Sequence, residues 1–339
     1  VVLWVRPEVY RLYLKSASQL RREVVHIMKD LKIAIVGIGA TGAVLAAALL
    51  SNDPEITLVD PRPGLGEELR KNGINISGAI SYQVSIRNFY TRIGDVKDMS
   101  PNLIFLSTKT FHLPQVLDEL KEVFIPGTKI VSTHNGLGTE DLIAERFGTE
   151  AAFRMSLNYG VSLKSLGKVE AAFFNKPNHL GSLTQENQEL GIQIAQLLTE
   201  GGLDTEFVDD IKLYVWKKMI MKCTMASICA VTDKTIKGAL DFPPTREIAE
   251  SCFKEVLAVA KAKGYDLGKD YLEQALAYLE KVGVHKDSMC HDIANKNPTE
   301  IDFLGGKVVE YALEMGIPAP SYKAMTNLVK AIEDNYLKV

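Results

Sequence analysis

Cysteine is scarce in this 339-residue chain, which has four: Cys223, Cys229, Cys252 and Cys290. None forms a C-x-x-C pair or a zinc-ligand spacing, and all four fall in segments that read as helical. That pattern excludes a disulfide framework and a structural zinc site, and leaves free buried thiols in a reducing cytoplasm. Charge of one sign is also in short supply. The 39 Lys and Arg offset 42 Asp and Glu to a net −3, so the chain presents neither a basic face for nucleic acid nor an acidic tail. No apolar run approaches the ~20 residues that a membrane span needs. There is no repeat of fixed period and no low-complexity segment. Residues 1–27 carry five Arg or Lys against two Glu. Within them Trp4, Val5, Tyr10, Leu12 and Tyr13 are too interrupted for the apolar core of a secretory signal, and Glu8 and Glu23 count against a transit peptide. We read 1–27 as an N-terminal extension ahead of Met28. The rest, in a chain that is 46% hydrophobic and 24% charged, is an ordinary globular composition with length for about two domains.

Residues 33–42 read Ile-Ala-Ile-Val-Gly-Ile-Gly-Ala-Thr-Gly, an apolar run ending in glycines spaced G-x-G-x-x-G. Gly37 permits the tight turn out of a strand. Gly39 lets a pyrophosphate approach the backbone, and Gly42 lets the next helix pack close to the strand. A helix from Ala40 to Leu50 would aim its free N–H groups at phosphates, so Gly37, Ile38, Gly39, Ala40, Thr41 and Gly42 are the expected dinucleotide contacts. A second strand, Ile56–Asp60, follows. It ends on an acidic residue placed to meet the adenosine ribose 2′-OH, as in NAD-binding folds. A carboxylate there would repel the 2′-phosphate of NADP. Asp60 therefore favours NAD(H), with NADP(H) as the alternative because Arg62 is near enough to compensate. The plain alternative is a glycine turn in some other α/β fold.

From Lys32 to Val208 strand-like and helix-like segments alternate: helices near Leu65–Asn72, Leu113–Val123 and Thr139–Phe147, strands near Asn102–Thr108 and Gly127–Thr133. Units of this length imply a doubly wound parallel sheet with helices on both faces. Residues 151–183 alternate as if a few antiparallel strands extend that sheet. Beyond Asp209 every segment reads as helix: Ile211–Val231, Thr245–Lys263, Lys269–Val282, Thr299–Met315 and Ser321–Tyr336, broken at Asp241-Phe-Pro-Pro-Thr245 and Gly316-Ile-Pro-Ala-Pro320. The expected fold is thus α/β: an N-terminal Rossmann-type domain (28–208) with added antiparallel strands, then an all-α substrate and dimerisation domain (209–339). The reaction is expected in a cleft between them.

A dinucleotide brings hydride chemistry, and the protein must orient the reactants and move a proton. Lys109 and His134-Asn135-Gly136 end two strands, where α/β sheets hold ligands; the plain alternative is an exposed lysine and a turn asparagine. Trp216-Lys217-Lys218-Met219 lies on a largely apolar helix. Adjacent lysines point about 100° apart, so at most one of them enters a site, where partial burial would lower its pKa and suit it to proton donation. Glu300-Ile-Asp302 starts a helix, where the dipole alone favours acids; Asp287, Ser288 and His291 read equally well as caps.

The ordered set GIGATG, Lys109, His-Asn-Gly-Leu-Gly at 134–138, Trp-Lys-Lys at 216–218, Ser288-Met289 and Thr-Glu-Ile-Asp at 299–302 resembles the ketopantoate reductase (2-dehydropantoate 2-reductase) family, from about residue 32 to the C-terminus. The resemblance implies reduction of a 2-keto acid to a D-2-hydroxy acid by a nicotinamide cofactor, in pantothenate biosynthesis. It also implies Lys218 as general acid and Glu300 as its carboxylate partner and a substrate contact. Ser288 would then contact the substrate carboxylate, and Lys109 and Asn135 would hold cofactor and substrate. The chain departs from the family at the asparagines four and eight residues after the lysine, which are Lys222 and Ala226 here, and near Lys237. Losing amides from a site built on hydrogen bonds changes specificity. Lys222 lies one turn from Lys218, on the same face. Two cations there would lower each other's pKa and favour a more anionic keto acid, unless Lys222 turns outward. The competing readings are a D-2-hydroxyacid dehydrogenase on the same scaffold and a nicotinamide-dinucleotide-binding regulatory protein without turnover. A homodimer through the helical domain is the expected assembly.

Overall fold

The computed structural model describes residues 31–52 and 56–337; the N-terminal extension read over 1–27 lies outside them. In chain order the first elements are β1 (Ile33–Val36), α1 (Ala40–Leu50), β2 (Ile56–Val59), α2 (Leu65–Asn72), β3 (Ile74–Gly78), β4 (Tyr82–Val84), β5 (Asn88–Tyr90), β6 (Leu103–Leu106), α3 (Leu113–Leu120), β7 (Lys129–Ser132), α4 (Thr139–Phe147) and β8 (Ala152–Ser156). They continue with β9 (Tyr159–Ser165), β10 (Lys168–Phe174), β11 (Asn178–Ser182), α5 (Gln188–Glu200), β12 (Thr205–Phe207), α6 (Ile211–Thr232), α7 (Ile236–Asp241), α8 (Pro243–Ala262), α9 (Tyr271–Val282), α10 (Ser288–Ala294), α11 (Gly305–Glu314) and α12 (Pro320–Leu337). No described helix is long and apolar enough to cross a membrane. The elements gather into two compact units. One takes the described residues up to Ser107 with Glu119–Val131 and Leu157–Phe207. The other takes Thr108–Asp118, Ser132–Ser156 and the described residues from Val208 onward.

In the first unit β1 pairs in parallel with β2 on one side and β6 on the other, and β2 pairs with β5. The strands β1, β2 and β6 are buried at every position. That is why β1 and β6 read in sequence as unbroken apolar runs, and β2 as one broken only by the buried Thr57, and not as alternation: a parallel sheet is covered on both faces. Helix α1 buries Gly42 through Leu49 without interruption, which its run of Gly, Ala, Val and Leu allows. Of the strands expected after residue 151, β8 and β11 do extend the main eight-stranded sheet, whereas β9 and β10, an antiparallel pair, do not. They join β3 and β4 in a separate four-stranded sheet of order β4-β3-β10-β9, in which β10 runs parallel to β3.

The second unit is built on α6. Asp210 caps its start, accepting a hydrogen bond from Leu213 N at 3.1 Å, and Asp233 closes it in the left-handed conformation (φ 55°). Thirteen of its residues are buried, and all of these but Thr224 and Ser227 share one core with Phe253, Val256, Leu304, Val308, Tyr322 and Val329. The four cysteines are free and buried. Pro243 and Pro244 sit at the start of α8, where a missing N–H costs nothing. The helix expected over 299–315 is interrupted: residues Ile301–Phe303 form a short 3-10 turn, Leu304 leaves helical geometry, and α11 begins at Gly305. The Gly305-Gly306 pair weakens helix propagation. It also permits close packing, because a Cβ on Gly305 would stand 2.6 Å from Thr326 Oγ1. Glu300 is thereby placed on a turn and not on a helix face.

Candidate active site

The dinucleotide turn lies wholly in the first unit. Gly37 has φ 89°, and its N–H donates to the Val59 carbonyl at 2.8 Å. A Cβ on Gly42 would lie 1.9 Å from the Gly37 carbonyl oxygen, so only glycine lets α1 start this close to β1. A Cβ on Gly39 would meet nothing within 4 Å. Packing therefore does not demand glycine at 39, whereas a cradle for a phosphate does. Ala40 and Thr41 open α1 and stay partly exposed, with backbone N–H groups free of intrahelical partners as at any helix start. These features fit a dinucleotide pyrophosphate.

Asp60 ends β2 and is buried, 4% exposed. Its Oδ2 accepts from Ile38 N at 2.7 Å and from Arg62 Nη2 at 2.8 Å; its Oδ1 accepts from Arg62 N at 3.0 Å and Arg62 Nε at 2.8 Å. Burial pushes the carboxyl up, but the Arg62 and Ile38 bonds outweigh it and hold the pKa below the usual carboxylate value. The Asp60 charge is thus met by Arg62, whose Nη2 also donates to the Ile38 carbonyl at 2.6 Å.

The other predicted residues gather in the second unit. Lys218, partly buried on α6, donates from Nζ to Asn135 Oδ1 at 2.9 Å. Asn135 belongs to a turn fixed on all sides. Gly136 N donates to Met219 Sδ at 3.2 Å, and the Gly136 carbonyl accepts from Arg154 Nη2 at 2.9 Å. Leu137 N donates to the Phe303 carbonyl at 2.9 Å. Gly136 itself has φ 134° and touches Phe303 too closely for a side chain. Glu300 Oε1 accepts from Thr110 N at 2.9 Å and Thr110 Oγ1 at 2.6 Å. Lys109, exposed, pairs with Asp292 at 2.9 Å and stands 4.0 Å from Glu300. Burial raises the Asp292 carboxyl despite Lys109, and Glu300 adds to the effect.

Burial pushes the Lys218 amine down to about 7, the Arg154 and Lys222 charges push the same way, and Glu300 pushes back. The expectation that Lys222 is lowered in turn does not hold. Burial works against its charge, but Asp287 raises its pKa overall, with Oδ2 at 2.6 Å and Oδ1 at 2.8 Å from Nζ. Lys222 also donates to Ser288 Oγ at 2.8 Å. Lys222 therefore does not turn outward; it ties α6 to the start of α10, where Asp287 also caps Met289 N at 2.9 Å. Ala226, two turns beyond Lys218, is fully buried in the helical core. Lys237 stands apart on α7, paired with Asp241 at 2.7 Å.

Sequence reasoning missed Thr110, Asp292 and Arg154. The first two carry no local signal. Arg154 does, since an arginine inside the apolar run Ala151–Leu157 is either an edge residue or a buried ion.

A model of ketopantoate reductase PanE/ApbA matches residues 33–185, and one of ketopantoate reductase PanE/ApbA C terminal matches residues 210–333. The 2-dehydropantoate 2-reductase of Streptococcus pyogenes serotype M3 is 27% identical over 301 residues, covering 88% of this chain and 97% of that protein. A solved ternary structure of D-mandelate dehydrogenase with NADH and anilino(oxo)acetate has a TM-score of 0.81 at 24% identity, covering 90% of this chain and 99% of that one. The structure of 2-dehydropantoate 2-reductase from Geobacter metallireducens GS-15 has a TM-score of 0.81 at 23% identity, covering 89% and 99%. At those identities the structures establish the fold. The two family models between them take in the glycine turn, Asn135, Lys218 and Glu300, and place the chain in the ketopantoate reductase family of oxidoreductases.

Proposed function

We propose that the protein reduces a 2-keto acid to a 2-hydroxy acid, with Lys218 as the proton donor. The observation that carries this reading is the Lys218 amine: held by Asn135 Oδ1 at 2.9 Å and brought to a pKa of about 7, it can give up a proton near neutral pH. When bound, a reduced nicotinamide dinucleotide supplies the hydride to the carbonyl carbon. Lys218 gives the carbonyl oxygen its proton as the C=O bond becomes C–OH, and the neutral amine is recharged from water. Asn135 aims the amine, and the clamped 135–137 turn keeps Asn135 from moving, so little reorganisation is left for the reaction itself. Glu300, fixed through Oε1 by Thr110, keeps Oε2 for Lys109 and for a substrate hydroxyl. Ser288 and Lys109 are the candidate contacts for the substrate carboxylate.

Ketopantoate is the first candidate substrate, and turnover of it would place the protein in pantothenate synthesis. A second reading, a D-2-hydroxyacid dehydrogenase with another 2-keto acid, is favoured by Lys222 and Ala226. Neither position offers an amide, and the Lys222 charge is already met by Asp287. That pairing supports an uncharged substituent over a second carboxylate. We place NADH ahead of NADPH by a modest margin. Asp60 opposes a 2′-phosphate, but Arg62 offsets its charge. Pairing of two chains through the helical domain belongs to the same reading and is read by sedimentation velocity.

The test is loss of nicotinamide absorbance with ketopantoate and with aliphatic, aromatic and dicarboxylic 2-keto acids, using wild type and Lys218→Met. Turnover of at least one acid by wild type, lost about 10²–10⁴-fold in Lys218→Met with dinucleotide affinity unchanged, is expected. Tight dinucleotide binding without turnover of any of them would overturn the reading in favour of a regulatory protein.

A further inference from the structure

Arg154, on β8, is 1% exposed and has no part in the roles assigned above. Through Nη1 it donates to Ser132 Oγ at 2.8 Å and to Thr139 Oγ1, and through Nη2 to the Gly136 carbonyl at 2.9 Å. Its Nε makes no hydrogen bond and lies 3.8 Å from Glu140 Oε2. A buried ion pair this long, with a donor left over, recovers little of the cost of removing both charges from water; an apolar pair of similar volume is commonly as stable. Its placement is better explained by what the guanidinium touches.

Three features converge on the reacting end of the site. The Gly136 carbonyl held by Arg154 belongs to the turn whose Asn135 holds Lys218. A guanidinium only donates, so Ser132 Oγ accepts from it and has its own proton to pass on, either to His134 Nδ1 at 3.0 Å or to Thr139 Oγ1 at 2.8 Å. His134 Nε2 in turn lies 3.1 Å from Thr108 Oγ1. That is two residues before Thr110, which fixes Glu300. One buried side chain thus underpins both turns, 108–110 and 134–137.

We propose that Arg154 is a positioning residue for the reductase reaction, anchoring the Asn135–Gly136 turn through its carbonyl and holding a fixed positive charge that acts on the Lys218 amine. The charged groups acting on Lys218 are Arg154 from β8, Lys222 from its own helix and Glu300 from the turn before α11. Of the two cations, Lys222 is neutralised by Asp287 at 2.6 Å, whereas Arg154 faces Glu140 only at 3.8 Å. Arg154 also helps keep the buried His134 neutral, behind the larger effect of burial itself, which together push it to about 3. The ring therefore relays hydrogen bonds and adds no third positive charge.

The proposal rests on Lys218 as proton donor, but Lys218 can be titrated without turnover. The rate at which acetic anhydride acylates Lys218, read by peptide mass spectrometry against an exposed lysine across pH, gives its midpoint in the whole protein. In wild type the midpoint is expected near 7. In Arg154→Met it rises by about one pH unit or more, and kcat for 2-keto acid reduction falls at least about tenfold with the dinucleotide KM unchanged. Arg154→Lys keeps the charge and loses the forked bonds, so its midpoint stays near the wild-type value while kcat still falls. Folded Arg154→Met with a wild-type midpoint overturns the electrostatic role, and Arg154→Lys with wild-type kcat overturns the anchoring role. Should Arg154→Met not fold, Arg154→Lys decides alone by the split between kcat and midpoint. If no 2-keto acid is reduced even by wild type, the labelling midpoints still judge Arg154 separately from the assigned reaction.

Discussion

Alanine at the second and third glycines of the dinucleotide turn should separate binding from folding. Gly39 has an ordinary φ of −70°, and a Cβ there meets no heavy atom within 4 Å. Gly39→Ala is therefore a surface-like change, within about 0.5 kcal/mol of wild-type stability. It nevertheless sets a methyl group where a pyrophosphate must come up to the backbone. Losing one charge-assisted hydrogen bond to that phosphate costs roughly 1.5–3 kcal/mol, which is about a 10- to 100-fold rise in Kd. Gly42 is the opposite case. Its Cβ would stand 1.9 Å from the Gly37 carbonyl oxygen, against about 3.0 Å for the shortest contacts real Cβ atoms make, and 3.2 Å from Ser107 Cβ. The first obstacle is backbone, which cannot rotate away, so β1 and α1 must separate. Overpacking of this kind costs roughly 1–3 kcal/mol or more, and at about 2–4 °C per kcal/mol the melting temperature should fall by roughly 2–12 °C. The assays are NADH titration by protein fluorescence and thermal melting without cofactor. Gly39→Ala with wild-type affinity would refute the cradle, and Gly42→Ala with wild-type melting would refute the packing argument.

Other outcomes follow from the same geometry. Lys218 must be protonated to donate and its pKa is lowered to about 7, so kcat/KM for reduction should fall as pH rises through that value and level off below it; a flat profile from pH 6 to 9 removes Lys218 from the role. Asp60→Asn removes the charge that opposes a 2′-phosphate and frees Arg62, so the NADPH-to-NADH ratio of kcat/KM should rise about tenfold, and no change would dissociate Asp60 from cofactor choice. Lys222→Met leaves Asp287, which is 7% exposed, without its cation; a loss of about 2–4 kcal/mol in chemical denaturation is expected, with partial recovery in Lys222→Met/Asp287→Asn, and simple additivity of the two changes would show that the pair is not coupled.

Much of the fold is legible in the sequence, and the legible parts share a cause. Helices α2 and α4 run over Leu65–Asn72 and Thr139–Phe147 as their periodicity indicates, because glycines flank both ends of each. The inner strands are legible because burial on both faces leaves only one polar position, Thr57, to blur the runs of β1, β2 and β6. The destination of the β9–β10 pair was not legible: local alternation signals a strand but not the sheet it joins. The interruption at Leu304 was also hidden, since Gly305-Gly306 reads equally as a weak helix interior or a break, and contact with Thr326 decides which.

The site divides along the same line. The sequence by itself determined which chemical groups are available: a glycine turn for a dinucleotide, an amide at a strand end, a lysine on an apolar helix and a carboxylate near residue 300. The spacing of each motif is local, and local spacing is fixed by the covalent chain. Only the tertiary structure decided how those groups are charged and held. Thr110 meets Glu300 across 190 residues, Lys222 meets Asp287 across 65, and Lys218 meets Asn135 across 83. Burial and neighbouring charge belong to those long-range contacts. They bring the Lys218 amine down to about 7, pair Lys222 with Asp287 and set Arg154 against the carbonyl of the turn that holds Lys218. No stretch of sequence carries that information, because the free energies involved exist only once the distant segments have left water together.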